Sequence, residues 1–366
     1  MKKLFSLLVL ALSFSALFAQ QTTVALLNHE GTITTYYGSE ALTQAHKAAV
    51  HGDVITLSGG AFTAPSSWTK AVTLRGAGCY AGEDNSREVT SIGNEFKLAI
   101  PETIETTMTI EGISFKSSFT FSTYVKNTTF LKCHFSSSVS SVRCNTNFYN
   151  CVLNNTLSFS SGSNYLANVN LHNCYVFRPR NSSSYSTINF TNCIVQFDSH
   201  YDPIYTMEYA KYSNCIFLGY FKPYNAGDPA KYCIPATCTA TNCLSCHCVY
   251  KNATDTEDAI YDYTIFDEMG NTTNKCLENG TPVTEAIKSV FKTYNGSDNF
   301  SFNELYELTD EAKTKYIGSD GTQIGIHGGI GFDLVPSTLQ ITKCEVAPRS
   351  TTDGKLSVSI EVGIPE

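Results

Sequence analysis

The chain has 366 residues, 42% of them hydrophobic and 16% charged, enough for one large or two smaller packed domains; wholesale disorder is excluded. Acidic residues outnumber basic ones 33 to 25, a formal charge of −8, and no Lys/Arg cluster breaks that balance. Nucleic acid and an anionic membrane surface are therefore excluded as main partners.

Lys2 and Lys3 precede an apolar run from Leu4 to Phe18, and Ala19 supplies a small residue for cleavage before Gln20. Residues 1–19 read as a signal peptide, so an exported protein is expected. No later stretch approaches eighteen apolar residues, which predicts no transmembrane segment. Next, SEALTQAHKAAVHGD places Leu42, Ala45 and Ala49 on one helical face, with Glu40 in the first turn and Gly52 past the last. This predicts a short amphipathic helix closing the open end of a repeat array. Strand-like phrases follow as DVITL at 53–57, AVTLRG at 71–76, EVTSIG at 88–93 and MTIEGISF at 108–115.

An Asn-Cys phrase then recurs. It reads FYNCVL at 148–153, LHNCYV at 171–176, FTNCIV at 190–195, YSNCIF at 212–217 and ATNCLS at 240–245, with FLKCHF at 130–135 carrying Lys132 in the Asn place. From Cys133 the steps to Cys151, Cys174, Cys193, Cys215 and Cys243 are 18, 23, 19, 22 and 28 residues. A period near twenty that varies by several residues belongs to a solenoid with loops of unequal length. The β-branched and aromatic content, without a Leu framework, favours a parallel β-helix over leucine-rich repeats. The expected fold is all-β, a right-handed parallel β-helix of roughly a dozen coils over 20–331, with a C-terminal β tail over 332–366.

Inward positions on a strand are two apart. Positions −5 and −3 from each Cys are apolar, as are the Cys and position +2, and no single straight strand buries both sets. A corner between them would, with Asn150, Asn173, Asn192, Asn214 and Asn242 turning it in the left-handed conformation that Asn tolerates. Stacked amides are then expected to hydrogen-bond as a ladder. The opposite parity puts −3, −1 and +1 inside one strand and buries a file of Asn. Coils about 4.8 Å apart are too wide for an unstrained disulfide. The cysteines are therefore expected to pack as reduced thiols.

Two segments carry candidate chemistry. FDSHYDPIYTMEYAKY at 197–212 offers Asp198, His200, Asp202, Glu208 and Lys211, a set suited to acid–base work or to holding a cation, or simply a polar coil extension. Tyr201, Tyr205, Tyr209, Tyr220 and Tyr224 lie on the longest-looped coils and suit sugar rings or protein partners, or ordinary β-surface packing. YCIPATCTATNCLSCHC at 232–248 adds Cys233, Cys238, Cys246 and Cys248, open to zinc, to a local disulfide or to thiol packing. Glycine-rich 318–331 lacks Gly-Lys-Ser/Thr and is no phosphate loop. LQITKCEV and KLSVSIEV flank APRSTTDG, which predicts a terminal hairpin.

EALTQAHKAAVHGDVITLSGGAFTA, KAVTLRGAG and GSDGTQIGIHGG at 318–329 resemble the pectin-lyase-like right-handed β-helix proteins over roughly 36–331. The resemblance is nearest to exported Bacteroidetes members of unassigned function, and implies a periplasmic, cell-surface or secreted protein of a Gram-negative type. That superfamily holds lyases, hydrolases, phage tailspikes and adhesins. Its polysaccharide lyases carry an Asp/Glu calcium cluster with an Arg or Lys base. Arg143, Arg178, Arg180, Lys126 and Lys211 are the basic candidates here, and none stands in such a motif. The phrases of the related polygalacturonases are missing too. The expected role is non-catalytic and cofactor-free: an adhesin-like binder of a polysaccharide or of a surface glycan or protein. A divergent polysaccharide lyase or glycoside hydrolase is the alternative.

Overall fold

The computed structural model describes residues 23–82, 85, 87–142, 145–159, 168–180, 187–197, 207, 209–221, 238–250, 261–262, 283–294, 296, 300–304, 306–337, 340–346 and 358–363. They form a parallel β-solenoid with three faces: an eleven-stranded, a ten-stranded and a five-stranded sheet. One complete coil runs through Asn127–Leu131 in the first sheet, His134–Phe135 in the second and Val139–Val142 in the third. The five-stranded sheet marks five such coils, and two-strand coils extend the stack at its ends. The total falls short of a dozen. Spacing alone overcounted because EVTSIG supplies Thr90–Ile92 to the second sheet, whereas DVITL and AVTLRG supply the first.

Inside, like side chains stack in register. Phe130 lies on Phe148 with ring centroids 4.8 Å apart, and Phe190 lies on Tyr212 at the same distance. Positions −5 and −3 are inward, as are each Cys and position +2: Ile188, Phe190, Cys193 and Val195 are fully buried. Between them the chain turns. Lys132, Asn150, Asn173, Asn192, Asn214 and Asn242 all have φ between 50° and 56°. A residue whose short amide tolerates the left-handed region is therefore needed once per coil. The parity that buries an Asn file in the apolar interior is excluded.

Behind each corner sits a thiol. Cys133, Cys151, Cys174, Cys193, Cys215 and Cys243 are free and buried. Cys193 Sγ donates to Leu171 O and Thr191 O, both at 3.3 Å, and Cys174 makes the same pair of contacts one coil earlier. Only the protonated thiol makes them. Burial pushes Cys133, Cys174, Cys215 and Cys243 well above the usual thiol range.

The expected amide ladder at the corners is reduced to one long rung. Asn214 and Asn192 meet at 3.5 Å, but these amides mainly serve a different partner, the segment 318–337. Instead of simply ending the solenoid, GSDGTQIGIHGG doubles back along the row of corners. Ser319 N donates to Asn214 Oδ1 at 2.9 Å, and Gly325 N donates to Asn214 O at 2.8 Å. Asn173 Nδ2 donates to Ile326 O at 2.9 Å and Gly328 O at 2.5 Å. Further down, Lys132 Nζ pairs with Asp333 at 2.6 Å, and Glu111 accepts from Ser337 N at 2.8 Å. Contact is so close at Gly328 that a Cβ there would sit 2.1 Å from Asn192 Nδ2. Among the described atoms, only Asn150 in this row keeps a buried Oδ1 with no hydrogen-bond partner.

The same strap, with helix α2 (Val283–Val290) and helix α3 (Asp310–Lys315), blankets the second sheet; helix α1 is the N-terminal one described below. Outward residues Val152, Tyr175, Ile194, Ile216 and Leu244 are buried against Ile287, Phe291, Tyr306, Ile324 and Ile326. Tyr175 stacks on Tyr306 at 5.3 Å and donates its hydroxyl to Gln196 at 2.7 Å.

At the N-terminal end α1 (Ala41–Ala48) forms as expected, burying Leu42 and Ala45, with Ala49 buried at its C-cap. It acts together with an unforeseen hairpin, Val24–His29 against Thr32–Tyr37, turned at Glu30 (φ 48) and Gly31 (φ 87). Val24–His29 pairs antiparallel with Val54–Leu57, so the hairpin occupies the edge of the first parallel strand. The C-terminal hairpin also forms, from Gln340–Val346 and Val358–Gly363.

Candidate functional site

The first sheet keeps a bare outer face. Four coils lay Asn127–Leu131, Asn145–Tyr149, Asn168–His172 and Thr187–Thr191 side by side in parallel register. Alternation sends Thr128, Phe130 and their counterparts inward, while the outward residues stay partly or fully exposed. Along the middle row Asn170 Nδ2 donates to Asn147 Oδ1 at 2.9 Å, and Asn189 Nδ2 donates to Asn170 Oδ1 at 2.8 Å. Asn145 and Asn127 meet at 3.5 Å in the neighbouring row. Beside them Tyr149 and His172 stack with centroids 5.1 Å apart, nearly parallel. Burial lowers the His172 pKa from its ordinary value, so its ring is neutral at pH 7.

None of the twelve outward residues on these four strands is Asp, Glu, Lys or Arg. Each primary amide has two donors and an acceptor oxygen with two lone pairs; in the row Asn170 spends one donor and one lone pair, Asn147 one lone pair and Asn189 one donor. The remaining donors and lone pairs are not used within the row, and the residues are partly exposed. The face can therefore hydrogen-bond a row of hydroxyls without ion pairing.

Of the residues singled out in 197–224, Asp198, His200, Tyr201, Asp202, Tyr205, Glu208 and Tyr224 lie outside the described residues. Tyr209 is 42% exposed, at φ 60. Lys211 is exposed and continues the Asn row one coil beyond Asn189. Tyr220 belongs to the second-sheet strand Ile216–Phe221.

The zinc reading of 232–248 meets a geometric obstacle. Cys238 and Cys243 belong to the interior cluster, whereas Cys246 belongs to the cluster under the strap, so the Cys-x-x-Cys pair is divided between two sides of the sheet. All three are free thiols, and Cys238 Sγ donates to Met207 O at 2.8 Å. Cys233 lies outside the described residues, and Cys248 sits on strand Leu244–Tyr250. Among the described residues no group of three or more His, Cys, Asp or Glu side chains is placed to hold a metal. Likewise, among them no helix is long and apolar enough to cross a membrane.

Asn147, Asn170 and Asn189 were not foreseen as surface residues. Their signal is nonetheless written in the repeat as Asn-x-x-Asn-Cys at 147–151, 170–174 and 189–193. Four residues before the Cys is an outward position once the corner is placed. Comparison with protein-family models, with characterised proteins and with solved structures finds no match to this chain.

Proposed function

We propose that the protein is an exported, non-catalytic binding solenoid whose first-sheet face takes an uncharged polysaccharide chain. The observation that carries this reading is the Asn147–Asn170–Asn189 ladder beside the Tyr149–His172 stack. The amides are held at the coil repeat of about 4.8 Å, so they are ordered before any ligand arrives. Tyr and His edges add flat, partly apolar surface with polar tips, which suits sugar rings. The signal-like start at 1–19 and the resemblance to pectin-lyase-like β-helices support an envelope or extracellular setting.

Affinity electrophoresis in gels containing xylan, mannan or a mixed-linkage glucan tests the reading. Retardation in at least one neutral gel is expected, insensitive to 0.5 M NaCl because no ion pairs are made. The Asn147→Ala/Asn170→Ala/Asn189→Ala triple variant should migrate as in an empty gel while keeping its unfolding midpoint. Retardation unchanged by the triple substitution would remove this face from the mechanism. Release of reducing ends or unsaturated sugars would overturn the non-catalytic assignment.

A further inference from the structure

A second site lies on the second-sheet side of the molecule. A cleft of about 680 Å³ opens between the second-sheet side of the solenoid and residues 300–303, which lie between α2 and α3, within the size range of small-molecule sites. Tyr80, Asn85, Lys116, His134, Phe302 and Asn303 contribute to its lining. Tyr80 and Phe302 stack face to face at 4.6 Å, one from the solenoid and one from the chain between α2 and α3.

His134 is the unusual member. It occupies the outward row that holds Val152 and Tyr175 in the next coils, and it is only 8% exposed. Its Nδ1 lies 3.2 Å from Ser114 Oγ, and Phe302 packs edge-on against its ring at 5.2 Å. Nε2 is buried and has no hydrogen-bond partner among the described residues. An apolar side chain would satisfy the packing here, as it does in the following coils, without leaving a buried nitrogen unpaired. Burial also pushes the ring pKa down to about 4, so it is neutral at pH 7. The Ser114 contact decides whether Nε2 donates or accepts, and a hydroxyl serves either case.

We propose that this cleft binds a small polyhydroxylated ring, of the size of one sugar unit, with a hydroxyl completing the hydrogen bonding of His134. Asn85 and Asn303 supply amides for further hydroxyls, Lys116 a donor, and Tyr80 with Phe302 an apolar wall. The site is independent of the first-sheet face: it uses other residues, on another sheet, and a pocket rather than a flat strip.

The test is a titration of the intact protein with glucose, galactose, mannose, xylose and galacturonate, one at a time, followed through histidine ring 15N–1H correlations. At least one sugar should give a saturable displacement of the His134 Nε2 resonance at millimolar concentration. Asn303→Ala should weaken that binding at least tenfold, and His134→Phe, which refills the row with an apolar ring, should abolish saturable heat in calorimetry while the fold persists. The Asn147→Ala/Asn170→Ala/Asn189→Ala variant should bind the same sugar unchanged, so failure of one site leaves the other standing. No displacement with any of the five sugars at 100 mM, or displacement unaffected by Asn303→Ala, would overturn the proposal.

Discussion

The outer faces of the first and second sheets are built by the same repeat and end in opposite states. On the first, the outward residues around the Asn row are uncharged and, Leu131 apart, polar, and they stay partly or fully exposed. On the second, the outward residues from Val152 to Leu244 are apolar, and the strap buries them. On these two faces the outward side chains decide which one needs a cover. At His134 and Ser114 the row turns polar although both stay buried, and the cleft opens beside His134. An outward apolar file in a solenoid predicts a strap.

The comparison is broken most sharply at Ile194. Its replacement by Ala removes a fully buried side chain from the strap interface and should cost about 2–5 kcal/mol in urea unfolding. Asn189→Ala, five residues earlier on the bare face, should cost about 0.5 kcal/mol or less. Equal costs would mean that the two faces are not differently loaded.

At the corner between these faces, two substitutions separate two roles of Asn173. Glycine keeps the left-handed turn (φ 51) but deletes the amide that holds Ile326 O and Gly328 O, a loss of about 1–3 kcal/mol. Alanine deletes the amide and strains the turn as well, adding about 1–2 kcal/mol. If Asn173→Gly matched wild type in thermal unfolding, the amide would not be holding the strap.

Acid should loosen the structure through buried imidazoles. His46 accepts from Thr69 N at 3.1 Å, and burial lowers its pKa to about 4, as it does for His134. Both fall below the ordinary 6.5, so the unfolded chain binds more protons in this range. Stability is then full above about pH 6.5 and declines as pH falls toward 4. His46→Gln, whose amide oxygen can still accept from Thr69, should flatten part of that decline. A slope identical to wild type in pH-dependent urea midpoints would remove His46 as a contributor.

The smallest effect expected is at the thiols. Cys193→Ala loses packing and the weak thiol contacts to Leu171 O and Thr191 O, and a thiol reagent should label none of the nine buried cysteines before denaturant is added. Rapid native labelling of Cys151, Cys174, Cys193 or Cys215 would contradict the buried row.

Local rules carried most of the solenoid. Parity around Asn192-Cys193 required a corner, Asn tolerates the conformation a corner needs, and the thiol row followed; the amphipathic pattern at 41–49 likewise marked α1. What local rules missed was long-range. Asn173 finds its partners 153 and 155 residues away, in a segment whose glycines look like ordinary turn residues until Gly328 is seen against Asn192. No periodicity encodes such a contact. The apolar row Val152, Tyr175, Ile194, Ile216 did encode the need for a cover, although it resembled a strand buried on both faces.

Strap docking along the corner row is the central claim, and hydrogen exchange read by mass spectrometry tests it most directly. Peptides spanning 316–329 contain the amides of Ile324 and Gly325, which donate to Tyr316 O at 3.1 Å and Asn214 O at 2.8 Å. They should exchange as slowly as the second-sheet strand at 194–197 in the wild type, and at least tenfold faster in Asn173→Gly/Asn192→Gly, with the first-sheet strands unchanged. Exchange of 316–329 at unprotected rates in the wild type would contradict the account.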